Sequence, residues 1–365
     1  MRKGTGNLKS TIQGYSLSIR YGDPYEDSVS FVSEYCMIAS FLLTLGLLGL
    51  TWATSDDYDE EQALRMWRLN SLSYCSQETL SKMDCDDCIR FSTSLSYATV
   101  ISEPQLSLYG FVGLWEKEDI IIVFRASQDY VNFIENLSSP ILTSFPVCNG
   151  CAASRTYLYM YASVRSRILS SIIALLREHP KAHILTTGHS LGSIFATFVA
   201  IDVKANVRHY DYNDYLLNPN AYTLFPNDTG VERGFYSYSS TIRRKRSDYD
   251  HNIQIASVYT FGMPRIGNSI LADFIHSEIP HFYRITHGCD VVTLLPPRQM
   301  KFVHTGNEYW YYSNSNFYVH CPYPERKECI NSIRVPNMDD HGRYMGELKG
   351  HCYYANRYIY LCTNN

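Results

Sequence analysis

Segments of continuous apolar character alternate with segments of helical periodicity along the chain. The run DIIIVFRAS (119–127) is largely apolar, which is typical of a strand buried on both faces. Residues 154–180 instead repeat apolar side chains at helical spacing, and Pro180 ends this predicted helix. The alternation continues with three predicted strands at 182–187, 256–262 and 281–286, and a helix at 191–205. It predicts an α/β fold with a mostly parallel central sheet and helices on both faces.

A further apolar run, MIASFLLTLGLLGLTWAT (37–54), ends in small residues. It is rather short for a membrane span of about 20 residues, and Ala53 suits the last position before a signal-peptidase cut. We therefore expect residues 1–54 to be a leader with a signal peptide at about 37–53, and the protein to be secreted. The alternative is an uncleaved signal anchor, which would tether the protein to a membrane.

The remaining chain, 55–365, is predicted to form one domain with a polar insertion at about 206–254. A structureless stretch of this length is more typical of an insertion than of core. Within it, Asn227 begins a glycosylation sequon. The basic run RRKR (243–246) is either a processing-protease site or, as we expect, a solvated loop.

Composition narrows the class of protein. The chain has 365 residues, of which 45% are hydrophobic and 19% charged, a balance typical of globular proteins. Its net charge of −4 indicates no nucleic-acid partner. No feature of the sequence indicates an oligomeric state.

Eleven cysteines raise two possibilities. Cys85 with Cys88, and Cys148 with Cys151, have the CxxC spacing of zinc ligands. The two pairs lie about sixty residues apart, beyond the spacing of a compact zinc ribbon. A secretory route would favour disulfide bonds instead.

The placement of one short motif distinguishes it from an ordinary glycine-rich turn. Gly188-His189-Ser190-Leu191-Gly192 fits G-x-S-x-G and lies between a predicted strand and a predicted helix. Such a sharp turn presents the serine hydroxyl, and its glycines avoid clashes between a Cβ and the neighbouring backbone. The Leu191 amide, at the helix N-terminus, would point toward developing negative charge. We therefore interpret Ser190 as a nucleophile.

A serine nucleophile needs a histidine base and an orienting acid, and on such a turn the order is Ser, acid, His. Asp290 comes just past the predicted strand at 281–286. His341 and His351 are both placed to be the base, and pattern alone does not choose between them. Weaker candidates, in or beside strand-like segments, are His287, His304 and His320.

Six ordered segments resemble the class 3, fungal-type lipase family of α/β-hydrolases. They are IIVFRASQDYVNFIENL (121–137), ILTTGHSLGS (184–193), YTFGMPRIGN (259–268), YRITHGCDVVTLLPP (283–297), FVHTGNEYW (302–310) and MDDHGRYMG (338–346). The resemblance covers about residues 60–355 and implies an α/β-hydrolase fold. It implies neither a metal nor an organic cofactor.

The resemblance also implies roles for individual residues. Ser190 would be the nucleophile, Asp290 the orienting acid and His341 the general base, which leaves His351 non-catalytic. Ser127 and Leu191 would form the oxyanion hole. Three residues depart from the family pattern, and none of them removes a catalytic group: Ala126, Ser193 and Thr293.

Residues 128–137 have the pattern of a short amphipathic helix beside Ser127. The side chains on its apolar face are Tyr130, Phe133, Ile134 and Leu137. Such a helix resembles the lid of the family, which covers the site when closed and faces lipid when open. The alternative is a surface helix packed permanently on the core.

The resemblance further implies four disulfide bonds and weakens the zinc interpretation. Cys75–Cys352 would tie the N-terminal helix to the C-terminal segment. Local bonds would join Cys85–Cys88, Cys148–Cys151 and Cys321–Cys329. Cys289, beside the acid, is expected to be a buried small residue.

Together these features predict a secreted serine ester hydrolase, a lipase acting on acylglycerols at an interface with transient contact to a lipid surface. One alternative is a phospholipase or short-chain carboxylesterase on the same machinery. The other is a catalytically silent lipid-binding or interaction module that keeps the fold.

The leader gives a first testable prediction. Cleavage after Ala53 leaves Thr54 as the first residue of the secreted protein, and cleavage one residue later leaves Ser55, as N-terminal sequencing would measure. An intact leader on the secreted protein would contradict the signal peptide.

Overall fold

The structure is a computed structural model that describes residues 57–90, 95–127, 140–206, 255–312 and 317–350, with two short strands before residue 20. Several predicted features lie outside the described residues. They are the leader's apolar run at 37–54, the four lid residues Tyr130, Phe133, Ile134 and Leu137, the insertion from 207 onward with Asn227 and RRKR, and Cys352.

Eight strands of the described residues form the central sheet. They are β1 (Leu95–Glu103), β2 (Leu108–Trp115), β3 (Asp119–Phe124), β4 (Ile184–His189), β5 (Ile255–Phe261), β6 (Phe282–His287), β7 (Asn307–Tyr311) and β8 (Tyr318–Cys321). Their spatial order follows the chain order, from β1 at one edge to β8 at the other. Neighbours from β3 to β7 pair parallel, whereas β1–β2, β2–β3 and β7–β8 pair antiparallel. The prediction of a mostly parallel central sheet is therefore confirmed.

Helices cover this sheet. They are α1 (Glu60–Leu72), α2 (Gln77–Lys82), α3 (Asp86–Arg90), α4 (Arg155–Glu178), α5 (Leu191–Asn206) and α6 (Ser269–Glu278). Helix α1 begins at an N-cap, because the Asp59 side chain accepts a hydrogen bond from the Gln62 amide. Helix α4 ends two residues before Pro180, as the sequence predicts. In the described part of the chain, no helix combines the length and apolar character needed to cross a membrane.

Short elements complete the described structure. Two-stranded hairpins join Leu8–Ile12 with Tyr15–Ile19, Leu142–Ser144 with Ala152–Ser154, and Arg343–Tyr344 with Glu347–Leu348. Single 3₁₀ turns lie at Pro104–Leu106, Val292–Leu294, Arg298–Met300, Ile330–Ser332 and Asp339–Gly342.

The packing of strand β3 explains the continuous apolar run at 120–124. Ile120, Ile122 and Phe124 pack into a core cluster that contains residues of α4, α5 and α6. Ile121 and Val123 belong to a second cluster on the opposite face, which contains residues of α1. Because successive side chains of a strand point to opposite faces, a sheet covered on both faces requires apolar residues at every position.

Many of the tyrosines pack the start of the domain onto its C-terminal strands. Tyr58 stacks on Tyr309 with ring centroids 3.9 Å apart, and its hydroxyl lies 3.0 Å from that of Tyr311. Tyr309 in turn stacks on His320 at 4.7 Å. The cluster joins segments about 250 residues apart in sequence, which is a structural role.

A buried ion pair joins α4 to α5, the helix that follows Ser190. The Asp202 carboxylate accepts hydrogen bonds from Arg165 Nε at 2.6 Å, Arg165 Nη2 at 2.9 Å and the Tyr161 hydroxyl at 3.1 Å. Arg165 and Asp202 are both buried. Removing one partner of such a pair leaves an uncompensated buried charge.

We therefore expect Asp202→Asn to lower the free energy of unfolding by about 3–5 kcal/mol, as measured by urea denaturation. The exposed pair between Lys82 and Glu78 provides a matched control. Glu78→Gln should leave the unfolding midpoint unchanged within error, because exposed ion pairs contribute little. Equal effects of the two substitutions would contradict a structural role for the buried pair.

Candidate active site

The turn between β4 and α5 holds Ser190 in an unusual backbone conformation. Its φ of 56° lies in the left-handed region, which is uncommon for residues other than glycine. The Ser190 amide donates to the Phe261 carbonyl at 2.8 Å, which ties the turn to the end of β5. The Ser190 Oγ is buried and has no hydrogen-bond partner among the described residues. A strained, buried serine at a strand–helix turn is the geometry of a nucleophile elbow.

The two glycines of the motif are sterically required. A Cβ on Gly188 would overlap the carbonyl of Gly192, and a Cβ on Gly192 would overlap the carbonyl of Phe124 on β3. The steric reason expected from the sequence is therefore confirmed. The elbow is packed against both α5 and the neighbouring strand.

His341 and Asp290 meet in a buried hydrogen bond. His341 Nδ1 lies 2.8 Å from Asp290 Oδ2, and the two side chains are 1% and 0% exposed. The other carboxylate oxygen accepts from the Val292 amide at 2.9 Å. An imidazole bonded to a carboxylate through Nδ1 keeps its Nε2 available for proton transfer.

The other described histidines have different partners. His304 Nε2 lies 2.6 Å from the Thr293 carbonyl, and burial holds the pKa of His304 well below its ordinary value. His287 Nδ1 lies 3.1 Å from the Asp340 carbonyl, and His320 stacks on Tyr309. None of these side-chain contacts involves the Asp290 carboxylate. His351 lies outside the described residues.

Tyr344 is a site residue to which sequence reasoning gave no role. Its buried hydroxyl donates to Asp290 Oδ2 at 2.8 Å, the oxygen that also bonds His341. Gly262 makes room for this arrangement. A Cβ there would overlap the Tyr344 hydroxyl and would lie 2.9 Å from both Asp290 Oδ2 and His341 Cε1. The available signal was the position of the tyrosine, three residues after the histidine.

Backbone hydrogen bonds connect the turn that contains Asp290 to the turn that contains His341. The Val291 amide donates to the Asn337 carbonyl at 2.9 Å, and the Asn337 amide donates to the Cys289 carbonyl at 2.8 Å. The Asp340 carboxylate adds a third link, because it accepts from the Cys289 amide at 2.7 Å. Residues on both sides of Asp290 are thereby fixed to the segment that precedes His341.

The prediction that Cys289 is simply a buried small residue is wrong in part. Its side chain is buried, but it is disulfide-bonded. Cys75 is also disulfide-bonded. The predicted local disulfides are present at Cys85–Cys88, Cys148–Cys151 and Cys321–Cys329. A covalent link therefore anchors the residue next to the acid.

Ser127 and Leu191 lie near the same edge of the sheet as Ser190. Ser127 follows the end of β3, and β3 pairs parallel with β4 in a register that places Phe124 opposite Gly188. Leu191 is the first residue of α5. Because the carboxyl ends of parallel strands meet at one edge, these segments converge on the elbow.

Two departures from the family pattern introduce hydroxyl groups that the turns use. Ser193 Oγ lies 3.1 Å from the Gly188 carbonyl and 3.2 Å from the Phe261 carbonyl. Thr293 Oγ1 donates to the Asp290 carbonyl at 2.7 Å. Both hydroxyls bind backbone carbonyls in the turns around the site, which is compatible with an intact site.

An elbow serine beside a buried acid–histidine pair, on this mostly parallel sheet, defines a serine ester hydrolase with the α/β-hydrolase fold. Within the ranges the structure describes, no group of three or more His, Cys, Asp and Glu side chains has the arrangement of a metal site.

Known proteins are similar to this chain at the level of sequence and of structure. The sequence profile of the class 3 lipase family matches residues 121–224 and 238–300. A lipase from Rhizomucor miehei is 26% identical over 313 residues, covering 83% of this chain and 73% of that protein. The native propeptide complex of Rhizomucor miehei lipase superposes with a TM-score of 0.62 at 25% identity, covering 82% of this chain and 84% of that chain.

A secreted mono- and diacylglycerol lipase A from Penicillium cyclopium is 25% identical over 197 residues, or 54% of this chain. The match spans about half of that protein's length, at 49%. Taken together with the fold, these similarities indicate that the chain resembles class 3 lipases and support the α/β-hydrolase fold.

Burial is the largest influence on the pKa of His341 and lowers it below the ordinary value of 6.5. The Asp290 carboxylate opposes this shift, and the ammonium group of Lys349 lowers the pKa further. A general base must be neutral to accept a proton, so kcat/KM falls as the pH drops through its pKa. We therefore expect the acid limb of kcat/KM on a soluble short-chain ester to have its midpoint below pH 6.5.

Lys349→Met removes the cation and should move this midpoint upward, whereas Lys181→Met at an exposed position should not move it. A wild-type midpoint above pH 6.5, or a downward shift in Lys349→Met, would contradict the lowered pKa of His341 and the contribution of Lys349 to it.

Proposed function

We propose that this protein is a secreted lipase that hydrolyses acylglycerol esters with Ser190, His341 and Asp290 as a catalytic triad. The observation that carries the proposal is the buried 2.8 Å hydrogen bond between His341 and Asp290, in a site whose elbow serine has a free hydroxyl among the described residues. The similarity to class 3 lipases supports the same assignment.

The mechanism follows from the roles of the three side chains. Ser190 Oγ attacks the ester carbonyl while His341 Nε2 takes its proton, and the same nitrogen then protonates the leaving alcohol. Asp290 accepts from Nδ1–H, which keeps Nε2 unprotonated in the resting state and stabilises the imidazolium that forms. Water then attacks the acyl-enzyme, again with His341 as base, and releases the fatty acid.

Charge that develops on the carbonyl oxygen needs donors oriented in advance. We assign this role to the Leu191 amide, at the start of α5, and to Ser127, which follows β3. An amide at a helix N-terminus has no partner within its own helix, and the helix dipole favours negative charge there.

The proposed lid is the amphipathic segment 128–137, with Tyr130, Phe133, Ile134 and Leu137 on its apolar face. Opening would expose this face to lipid and admit substrate to a site from which water is excluded. The segment directly follows Ser127, so a lid movement would also act on one of the proposed oxyanion donors.

Secretion is supported by the state of the cysteines. All eight cysteines in the described ranges are disulfide-bonded, and disulfides form and persist in oxidising compartments. The proposed leader at 1–54, with a signal peptide at about 37–53, would account for entry into the secretory route. The Penicillium relative is described as secreted, and mono- and diacylglycerols are its substrates by name.

The proposal is tested by Ser190→Ala, which should lower ester hydrolysis by at least about 1,000-fold, because the nucleophile is lost. Ser170→Ala, on the exposed face of α4, is the matched control and should retain activity. The assays would use p-nitrophenyl butyrate, above and below its solubility, and a trioleoylglycerol emulsion, together with labelling by a fluorophosphonate probe.

Undiminished hydrolysis in Ser190→Ala would refute the triad. If the fluorophosphonate probe does not label the wild-type protein, the protein is a catalytically silent lipid-binding or interaction module. Strong labelling together with a preference for phospholipid would identify a phospholipase. Strong labelling with a preference for soluble short-chain esters would identify a carboxylesterase. In both cases the triad would stand and the proposed acylglycerol substrate would be wrong. His341→Ala compared with His351→Ala tests the choice of base.

A further inference from the structure

His189 precedes the proposed nucleophile and lies between two other parts of the site. Its side chain is fully buried. His189 Nε2 lies 2.9 Å from the backbone carbonyl of His341, and its Nδ1 lies 3.2 Å from the Tyr74 hydroxyl. The imidazole rings of His189 and His341 have centroids 4.5 Å apart.

The partners determine which nitrogen of His189 carries the proton. A carbonyl oxygen only accepts hydrogen bonds, so Nε2 must be the donor to His341. Burial holds the pKa of His189 well below its ordinary value, with smaller contributions from Lys349 and His341. The ring is therefore neutral, and its Nδ1 is an acceptor for the Tyr74 hydroxyl.

Tyr74 extends the series of hydrogen bonds to the segment after β3, which carries the proposed oxyanion residue Ser127. Its hydroxyl oxygen accepts from the Ala126 amide at 3.1 Å. The direction is then fixed throughout: the Ala126 amide donates to Tyr74, Tyr74 donates to His189 Nδ1, and His189 Nε2 donates to the His341 carbonyl. Tyr74 is 1% exposed, so water is not a ready substitute for these bonds.

This series of hydrogen bonds reaches three residues that are next to, or identical with, residues to which we assign a role in the reaction. Ala126 precedes the oxyanion residue Ser127, His189 precedes Ser190, and the last acceptor belongs to His341 itself. We propose that Tyr74 and His189 are positioning residues. They hold the segment of Ser127, the nucleophile Ser190 and the general base His341 in fixed relative positions before substrate binds. The inference rests on the proposed function and adds two residues that do not touch substrate.

Packing fixes the ring in the plane that these bonds need. Trp67 of α1 meets the His189 ring edge-on at 5.5 Å and the Tyr344 ring at 4.8 Å. Helix α1 and the residues after it, through Trp67 and Tyr74, therefore pack directly against the side chains of the site. A histidine at this position both fills the space and carries one donor and one acceptor on opposite sides.

Tyr74→Phe keeps the ring and removes both hydroxyl bonds. We expect kcat on soluble p-nitrophenyl butyrate to fall by about 10- to 100-fold with little change in KM, because a misplaced catalytic group costs about this much. His189→Gln keeps a donor that reaches the His341 carbonyl, so it should retain more activity than His189→Leu. The double variant Tyr74→Phe/His189→Leu should lose less than the product of the two single losses, because both act on one chain.

Tyr311→Phe is the matched control, because it removes a buried hydroxyl that bonds Tyr58 and Glu60 away from the site. Rates are normalised to the number of sites titrated by the fluorophosphonate probe, so unfolded protein does not count. The resonance of the His341 Nδ1 proton is followed by NMR, and Tyr74→Phe should shift it while Tyr311→Phe should not.

Wild-type kcat and an unshifted proton resonance in Tyr74→Phe would overturn the inference, as would equal activity of His189→Gln and His189→Leu. Failure of the wild-type protein to react with the probe would instead overturn the proposed function, so the two failures are distinguishable.

Discussion

Close approach of backbone segments around Ser190 is the constraint on which the rest of the site depends. Strand β4 enters the turn, α5 leaves it, and β3 and β5 lie against it, with no space for a Cβ at Gly188 or Gly192. The left-handed conformation of Ser190 costs about 1–2 kcal/mol. That cost is affordable only because the surrounding layers determine the turn from several sides, and the hydrogen bond to Phe261 is one of these constraints.

Burial strengthens the interaction between Asp290 and His341, and it also requires hydrogen-bond donors for the buried carboxylate. A carboxylate removed from water needs donors for its oxygens, and Asp290 has them in the Val292 amide, the Tyr344 hydroxyl and His341 Nδ1. The glycine at 262 is required because the Tyr344 hydroxyl occupies the space of its side chain. The geometry of the proposed triad therefore depends on residues to which we assign no chemistry, and we propose the same of positions 74 and 189.

The sequence predicted the features that depend on local pattern. Strand β3 was predictable because five consecutive apolar residues follow Asp119, and the elbow because strand, glycines and helix are contiguous. Strands β1 and β2 were not predicted. The family resemblance, rather than spacing, selected His341 over His351, and the structure adds the hydrogen bond to Asp290.

Contacts between distant segments were not predictable in the same way. The bond between the Asp340 carboxylate and the Cys289 amide joins residues 51 positions apart, and the disulfide of Cys289 depends on a tertiary partner. The role of Tyr344 depends on the space left by Gly262, which no local pattern encodes. The lid, the insertion and the Cys75–Cys352 pairing lie wholly or partly outside the described residues and stay predictions.

The order of the site residues along the chain has a consequence for biosynthesis. The serine at 190 leaves the ribosome about 100 residues before the acid at 290 and about 150 before the histidine at 341. Their turns are held together by hydrogen bonds between residues of both late segments. A nascent chain therefore contains the proposed nucleophile for about 150 residues of elongation without the proposed base to activate it. If Ser190 and His341 act as proposed, ester hydrolysis begins only when nearly the whole domain has been made.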